Sequence, residues 1–154
     1  MCAILDNSVR DMIFVSRPTT AASKFREWIE SRKLRLVVGG LLKEELTEKE
    51  SVKNWLSEGE RVGFVKFVPD EKVDALTAKI RKSNVCKSND AHVIALAQAS
   101  GARLLYANDG KLEKDFVKKQ LVDNPRGVLY PKGNIRGSHQ KWLHEHRDIC
   151  KKRP

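Results

Sequence analysis

Residues 88–110, SNDAHVIALAQASGARLLYANDG, decide the fold, because an apolar helix runs directly into an apolar strand here. Gly101 is a suitable helix end, since glycine readily takes the left-handed conformation of a C-cap. The run RLLY at 103–106 then predicts a buried strand. Two acids interrupt the stretch: Asp90 lies in the first turn of the helix, and Asp109 follows the strand. Carboxylates beside apolar surface cost free energy unless something compensates them, so both acids need an explanation.

The alternation of helix and strand extends back to the N-terminus. Further apolar strands are predicted at 2–6 and 34–38, and residues 62–68 form a third strand or an extended link. Amphipathic helices are predicted between these strands, at 20–33, 41–60 and 69–83. This alternation predicts an α/β fold, a three-layer α/β/α domain with a mainly parallel central sheet. We expect this domain to cover residues 1–131, followed by an extension at 132–154.

Three acids are predicted to meet at one edge of this sheet. Asp6 ends the first strand, Asp109 follows the last, and Asp90 begins the helix that Ser88 or Asn89 caps. Taken singly, an acid in a first helical turn complements the helix dipole, and Asn-Asp-Gly is an ordinary turn. Parallel strands, however, present their carboxyl ends at a common edge, where ligands bind. Carboxylates that meet there repel one another unless a proton or a cation holds them, and oxygen ligands suit Mg²⁺ or Mn²⁺.

A fourth acid comes from the helix after the second strand. Leu41, Leu42 and Leu46 define its predicted buried face. Glu45 lies one turn from the first two leucines and therefore borders that face. Glu45 is the preferred functional acid, and Glu44 is the alternative.

Four segments together resemble the PIN-domain family of nucleases, over residues 2–130. They are AILDNSV, VVGGLLKEEL, SNDAHVIALAQASGARLLYANDGKLEKDF and LVDNPRG, of which the third is the most specific. The resemblance implies an α/β fold whose acidic cluster binds divalent metal, Mg²⁺ or Mn²⁺, and hydrolyses phosphodiester bonds, usually in RNA. By position it implies a catalytic set of acids: Asp6, Glu45, Asp90 and Asp109. It also implies three supporting residues: Ser8, Asn108 and Asp115.

Within this set, Asp6, Asp90 and Asp109 are the predicted metal ligands, and Glu45 either completes the site or orients the attacking water. The histidines are not needed for this chemistry. His92 lies in the apolar helix and is interpreted as a packed residue rather than a base. The HEH run at 144–146 lacks the spacing of a helical zinc motif and is interpreted as a solvated helix face.

Three classes of function remain open from the residues. The first is a metal-dependent endoribonuclease, with a toxin of a toxin–antitoxin pair as one role that the resemblance implies; an antitoxin protein and a homodimer are then candidate partners. The second is a PIN-like RNA-binding or assembly module with little or no cleavage. The presence of all four acids favours the first. The third, a phosphotransfer receiver domain, would need paired acids early in the chain, and ILDNS does not supply them.

The charge of the chain favours a polyanionic partner, with nucleic acid ahead of an acidic membrane surface, and charge alone does not separate these two. Its 154 residues carry a formal net charge of +10, and half of this excess lies in residues 132–154. This extension is either a solubilising tail or an arm that contacts phosphates, and a short helix within it could dock Trp142 and Leu143 on the domain. The candidate phosphate-binding side chains are Lys132, Arg136, Lys141 and Arg147.

The apolar runs, the first residues and the cysteines indicate the cellular compartment. No apolar run is long enough to span a membrane, and the first residues do not resemble a secretory signal. Cys2, Cys86 and Cys150 are few, odd in number and widely spaced. These features favour reduced cysteines and a cytoplasmic protein.

Overall fold

The computed structural model describes residues 1–14, 18–132 and 137–145. Its centre is a five-stranded sheet in which every strand pair is parallel. The strands are β1 (Cys2–Leu5), β2 (Arg35–Val38), β3 (Val65–Phe67), β4 (Leu104–Tyr106) and β5 (Val128–Leu129). The helices are α1 (Arg10–Ile13), α2 (Thr20–Glu30), α3 (Gly40–Thr47), α4 (Glu50–Val62), α5 (Asp70–Ser83), α6 (Ala91–Ser100), α7 (Gly110–Phe116) and α8 (Gly137–Glu145). The predicted α/β fold is confirmed, and its sheet is entirely parallel.

The strand order, β3-β2-β1-β4-β5, determines where a site can form. The chain winds outwards from β1 to β3 on one side and from β4 to β5 on the other, so the direction reverses between β1 and β4. In open parallel sheets, ligands bind beside the carboxyl ends of the strands at such a reversal. Both faces of the sheet are covered, because successive residues Ala3 and Ile4 of β1 are each fully buried.

Several sequence predictions of individual elements are wrong in detail. The helix predicted at 41–60 is two helices, α3 and α4, separated at Glu48 and Lys49. Leu41 was expected on the buried face but is 43% exposed, whereas Leu42 and Leu46 are fully buried. Strand β5 was not predicted, since a two-residue strand is too short to show any periodicity.

The cysteines differ from the prediction that all are reduced. Cys86 has a free thiol, but Cys2 is disulfide-bonded, so the prediction is wrong for Cys2. Among the helices that the structure describes, none combines the length and the apolar character of a membrane span.

The C-terminal extension contains the short helix that was expected, α8. Leu143 on this helix is partly buried against the core. The side chain of Trp142 lies outside the described part of the chain, so its predicted docking stays a prediction. Helix α8 is therefore attached to the domain through at least one apolar contact.

Candidate active site

Asp6 stands directly after β1 and is fixed against the end of β4. Its backbone N–H donates to the carbonyl of Tyr106 over 2.9 Å, and its side chain is only 4% exposed. The Oδ2 atom of Asp6 accepts from the backbone N–H of Ser8 over 3.1 Å and from the Ser8 hydroxyl. The Ser8 Oγ accepts in turn from the backbone N–H of Asn108 over 2.9 Å. Ser8 thus joins the segments that follow the two strands, and Asn108 contributes its backbone to this link.

Asp109 follows β4 and caps helix α7. Its Oδ1 atom accepts from the backbone N–H groups of Lys111 over 3.0 Å and of Leu112 over 3.2 Å. These bonds satisfy two of the amides that a helix start leaves without partners. Asp109 also lies close enough to Asp90 to contribute to the raised pKa of that carboxyl group.

Asp90 occupies the N-cap position of α6, where Ser88 or Asn89 was expected. Its side chain makes no capping hydrogen bond, and its backbone N–H donates to Ser88 Oγ over 3.0 Å. Burial, then the neighbouring charge of Asp6, and further the contact with Asp109 raise the pKa of Asp90 to about 6, although His92 acts in the opposite direction. The carboxyl group of Asp90 therefore faces the two strand-end acids rather than the start of its own helix.

Glu45 reaches the same place from helix α3. This helix starts at Gly40, whose positive φ of 58° allows the sharp turn out of β2. The carbonyl of Glu45 accepts from Arg10 Nη1 over 3.0 Å, which ties α3 to α1. The Glu45 side chain is 27% exposed, while Glu44 is exposed. Glu45 is thus the member of the pair that borders the acidic cluster.

His92 is part of this group, which the sequence did not indicate. Its side chain is 3% exposed, and its Nε2 lies 3.3 Å from Oε2 of Glu45. One ligand atom from each of Glu45, Asp90 and His92 falls within 4.8 Å of the others. The prediction that His92 is packed is confirmed by its burial, but its partners are the site acids. The sequence held one indication that His92 lies near the site: it follows Asp90 by two residues at the start of the same helix.

Asp115 was expected as a further acid near the site, and its contacts give it a different supporting role. It is fully buried, and its Oδ2 accepts from the backbone N–H groups of Lys87 over 2.9 Å and Ser88 over 2.7 Å. Its Oδ1 accepts from Lys118 Nζ over 2.6 Å. Burial alone would raise the pKa of Asp115, but the hydrogen bonds from Lys118 and Ser88 outweigh it and lower the pKa. Asp115 therefore anchors the loop that leads into Asp90.

The basic side chains proposed for RNA contacts are only partly described. Lys132 forms an ion pair with Glu113 of α7, and Lys141 lies 3.9 Å from Glu145 on its own helix. Lys141 and Glu145 are both largely exposed, so their pair is weak, whereas Lys132 is 48% exposed and pairs with the mostly buried Glu113. Arg136 and Arg147 lie outside the described residues.

The donor set fits a divalent cation. Glu45, Asp90 and His92 each offer a ligand atom within 4.8 Å of the others, and Asp6 and Asp109 lie close enough to Asp90 to help raise its pKa to about 6. Carboxylate oxygens are the ligands that Mg²⁺ and Mn²⁺ prefer. One nitrogen of the neighbouring imidazole, His92 Nδ1, is buried without a hydrogen-bond partner in the described structure. The residues that the structure brings together around one possible ion position are Glu45, Asp90 and His92, and it does not bring the predicted ligands Asp6 and Asp109 into that group with Asp90.

Comparison with known families agrees with this arrangement. A model of the PIN domain matches residues 4–115, which is well over half of the chain. The matched region includes all the acids of the cluster and ends at Asp115. No curated protein matches the chain.

The raised pKa of Asp90 leads to a prediction about stability without metal. The folded protein holds the Asp90 proton up to a pH of about 6, whereas the ordinary carboxyl value is 3.8. The free energy of unfolding therefore falls as the pH rises from about 4 to about 6, and the loss persists above that window. Asp90→Asn removes this loss, so in EDTA at pH 7.5 it should melt a few degrees above wild type.

The measurement is a series of thermal melts between pH 3.5 and pH 8, in which the two curves should converge near the acid end. Asp74→Asn, at an exposed position of α5, is the matched control for the loss of one carboxylate. Equal melting temperatures of wild type and Asp90→Asn across the whole range would contradict the proposed repulsion.

Proposed function

The chain belongs to the PIN-domain family, and we propose on that basis that it is a divalent-metal-dependent endoribonuclease that hydrolyses phosphodiester bonds of RNA. PIN domains are generally nucleases, which are hydrolases, and they depend on divalent metal. The observation that carries the proposal is the group of Glu45, Asp90 and His92, whose ligand atoms lie within 4.8 Å of one another, with Asp6 and Asp109 close enough to Asp90 to help raise its pKa to about 6. A structural role alone does not account for carboxylates that destabilise one another in this way.

Each acid of the cluster has a defined role in this proposal. Asp6, Asp90 and Asp109 would hold the cation through carboxylate oxygens. When bound, a divalent cation would supply positive charge that polarises the scissile phosphate and lowers the pKa of an attacking water. Glu45 would either complete the ligand set or orient that water, and its partly exposed side chain is accessible for both roles.

The charge of the chain supports RNA as the substrate. A formal net charge of +10 attracts a polyanion over long distances and raises the rate of encounter. The acidic cluster would by itself repel a phosphate backbone, so basic groups around it and a bound cation are needed for productive binding. The exposed lysines of the extension, Lys132 and Lys141, are candidates for some of these contacts.

The biological role that we propose for this activity is that of a toxin in a toxin–antitoxin pair, acting in the cytoplasm. This role rests on the resemblance to single-domain PIN proteins, many of which act in this way. An antitoxin protein and a second copy of the chain are the protein partners that it implies. Growth arrest in cells that express wild type, but not in cells that express Asp6→Asn, would support the role. Unimpaired growth with active enzyme present would contradict it.

We predict that RNA cleavage requires Mg²⁺ or Mn²⁺ and that each ligand carboxylate is necessary. Asp6→Asn, Asp90→Asn and Asp109→Asn should each lower the cleavage rate by at least about 100-fold. Removing a metal ligand should lower activity at least as much as removing a residue that only hydrogen-bonds to a ligand. The measurement uses labelled single-stranded RNA with each metal and with EDTA. Asp74→Asn is again the matched control and should cleave like wild type.

Two other results would change the proposal. Cleavage that persists in EDTA or in all three variants would contradict the metal-dependent mechanism. Tight RNA binding by wild type without cleavage in either metal would identify the chain as an RNA-binding module instead. Melting curves of the variants separate loss of ligands from loss of fold.

The basic extension gives a separate prediction about affinity. Replacing its four candidate residues with glutamine should weaken RNA binding and flatten its salt dependence, because fewer counterions are released. The slope of log affinity against log salt should fall by roughly 0.7 for each phosphate that the variant no longer neutralises on single-stranded RNA. The variant carries Lys132→Gln, Arg136→Gln, Lys141→Gln and Arg147→Gln.

A matched control changes the same number of exposed lysines elsewhere, and these are Lys33, Lys53, Lys79 and Lys82. Neutralisation is preferable to deletion because Leu143 packs on the core and its removal would lower stability. Binding is measured at two or more salt concentrations. Equal salt slopes for the extension variant and wild type would contradict a phosphate-binding role of the extension.

A further inference from the structure

His92 is a buried titratable group that the proposed mechanism does not use. Its side chain is 3% exposed, and its Nε2 lies 3.3 Å from Glu45 Oε2. Together with Asp90 it forms a group whose ligand atoms all lie within 4.8 Å of one another. Its other ring nitrogen, Nδ1, has no hydrogen-bond partner within the described structure.

Neither neutral tautomer of His92 satisfies both ring nitrogens. If Nε2 carries the hydrogen, it donates to Glu45 and leaves the Nδ1 lone pair buried without a donor. If Nδ1 carries the hydrogen, that donor is buried without an acceptor, and the Nε2 lone pair faces a carboxylate oxygen. Buried polar groups in proteins are nearly always partnered. In the second case a cation between Nε2 and the carboxylates would replace the unfavourable contact at Nε2 with ligand bonds, while the Nδ1 hydrogen would still lack an acceptor in the described structure.

The distances are compatible with ligands of one ion. Ligand atoms at about 2.0–2.2 Å from a metal lie at most about 4.4 Å apart. The separation of 3.3 Å between His92 and Glu45 falls within this limit, and every other separation in the group is at most 4.8 Å. A movement of about half an ångström would close the group around an ion.

We infer that His92 is a metal ligand and that it makes the site prefer Mn²⁺ and later transition ions to Mg²⁺. Imidazole nitrogen is a good donor for transition metals, whereas Mg²⁺ favours oxygen and retains its waters. Asp90 belongs to this nitrogen-containing group together with Glu45. The inference rests on the proposed function in that a cation occupies the site.

The test compares metal binding by wild type and His92→Gln without RNA. Glutamine can still donate a hydrogen bond to Glu45, so a merely positioning role would be retained while the nitrogen ligand is removed. Isothermal titration should show that wild type binds Mn²⁺ more tightly than Mg²⁺. His92→Gln should lose about tenfold or more in Mn²⁺ affinity and much less in Mg²⁺ affinity. His144→Gln, at an exposed position of α8, is the control and should retain the wild-type ratio.

A spectroscopic measurement on wild type gives the same answer without a variant. Mn²⁺ bound to His92 should show coupling to an imidazole nitrogen in pulsed electron paramagnetic resonance. Two results would overturn this inference but leave the metal site itself in place. One is an unchanged ratio of Mn²⁺ affinity to Mg²⁺ affinity in folded His92→Gln, and the other is bound Mn²⁺ without nitrogen coupling. Binding of neither ion by wild type would overturn the metal site, and with it the proposed function.

Discussion

Repulsion between Asp90 and the carboxylates that follow two adjacent parallel strands, Asp6 and Asp109, is the constraint on which the rest of this structure depends. Asp6 is 4% exposed and lies close enough to Asp90 to raise the pKa of that carboxyl group. The folded chain therefore holds like charges together at a cost in stability. A cation is the simplest compensation, because it converts the repulsion into ligand bonds. We therefore propose that the site is unfavourable without a cation and favourable with one.

Much of the surrounding structure keeps these acids in place. The sheet brings Asp6 and Asp109 together because its direction of winding reverses between β1 and β4. Ser8 bonds both to Asp6 and to the backbone of Asn108, which fixes the two strand ends relative to each other. Asp115 has a similar role, since it binds the loop before Asp90. Such supporting bonds prevent the carboxylates from moving apart, which would otherwise relieve their repulsion.

The sequence predicted the parts of this arrangement that depend on local pattern. Asp6 and Asp109 follow short apolar runs, so their place at one edge of a parallel sheet could be predicted. The role of Asp90 depends on its side-chain direction, and the sequence suggested Ser88 or Asn89 as the cap instead. His92 could not be predicted as a site residue, because its contact with Glu45 joins positions 47 residues apart. The buried role of Asp115 likewise depends on a loop that packs against α7 only in the folded chain.

The most direct test of the central claim is anomalous X-ray diffraction from crystals grown with Mn²⁺, which locates the ion independently of activity. A manganese peak is expected about 2.0–2.6 Å from carboxylate oxygens of Asp6, Asp90 and Asp109. Ordered crystals with no manganese at this position, and with the three carboxylates paired to protein groups or separated from one another, would contradict it.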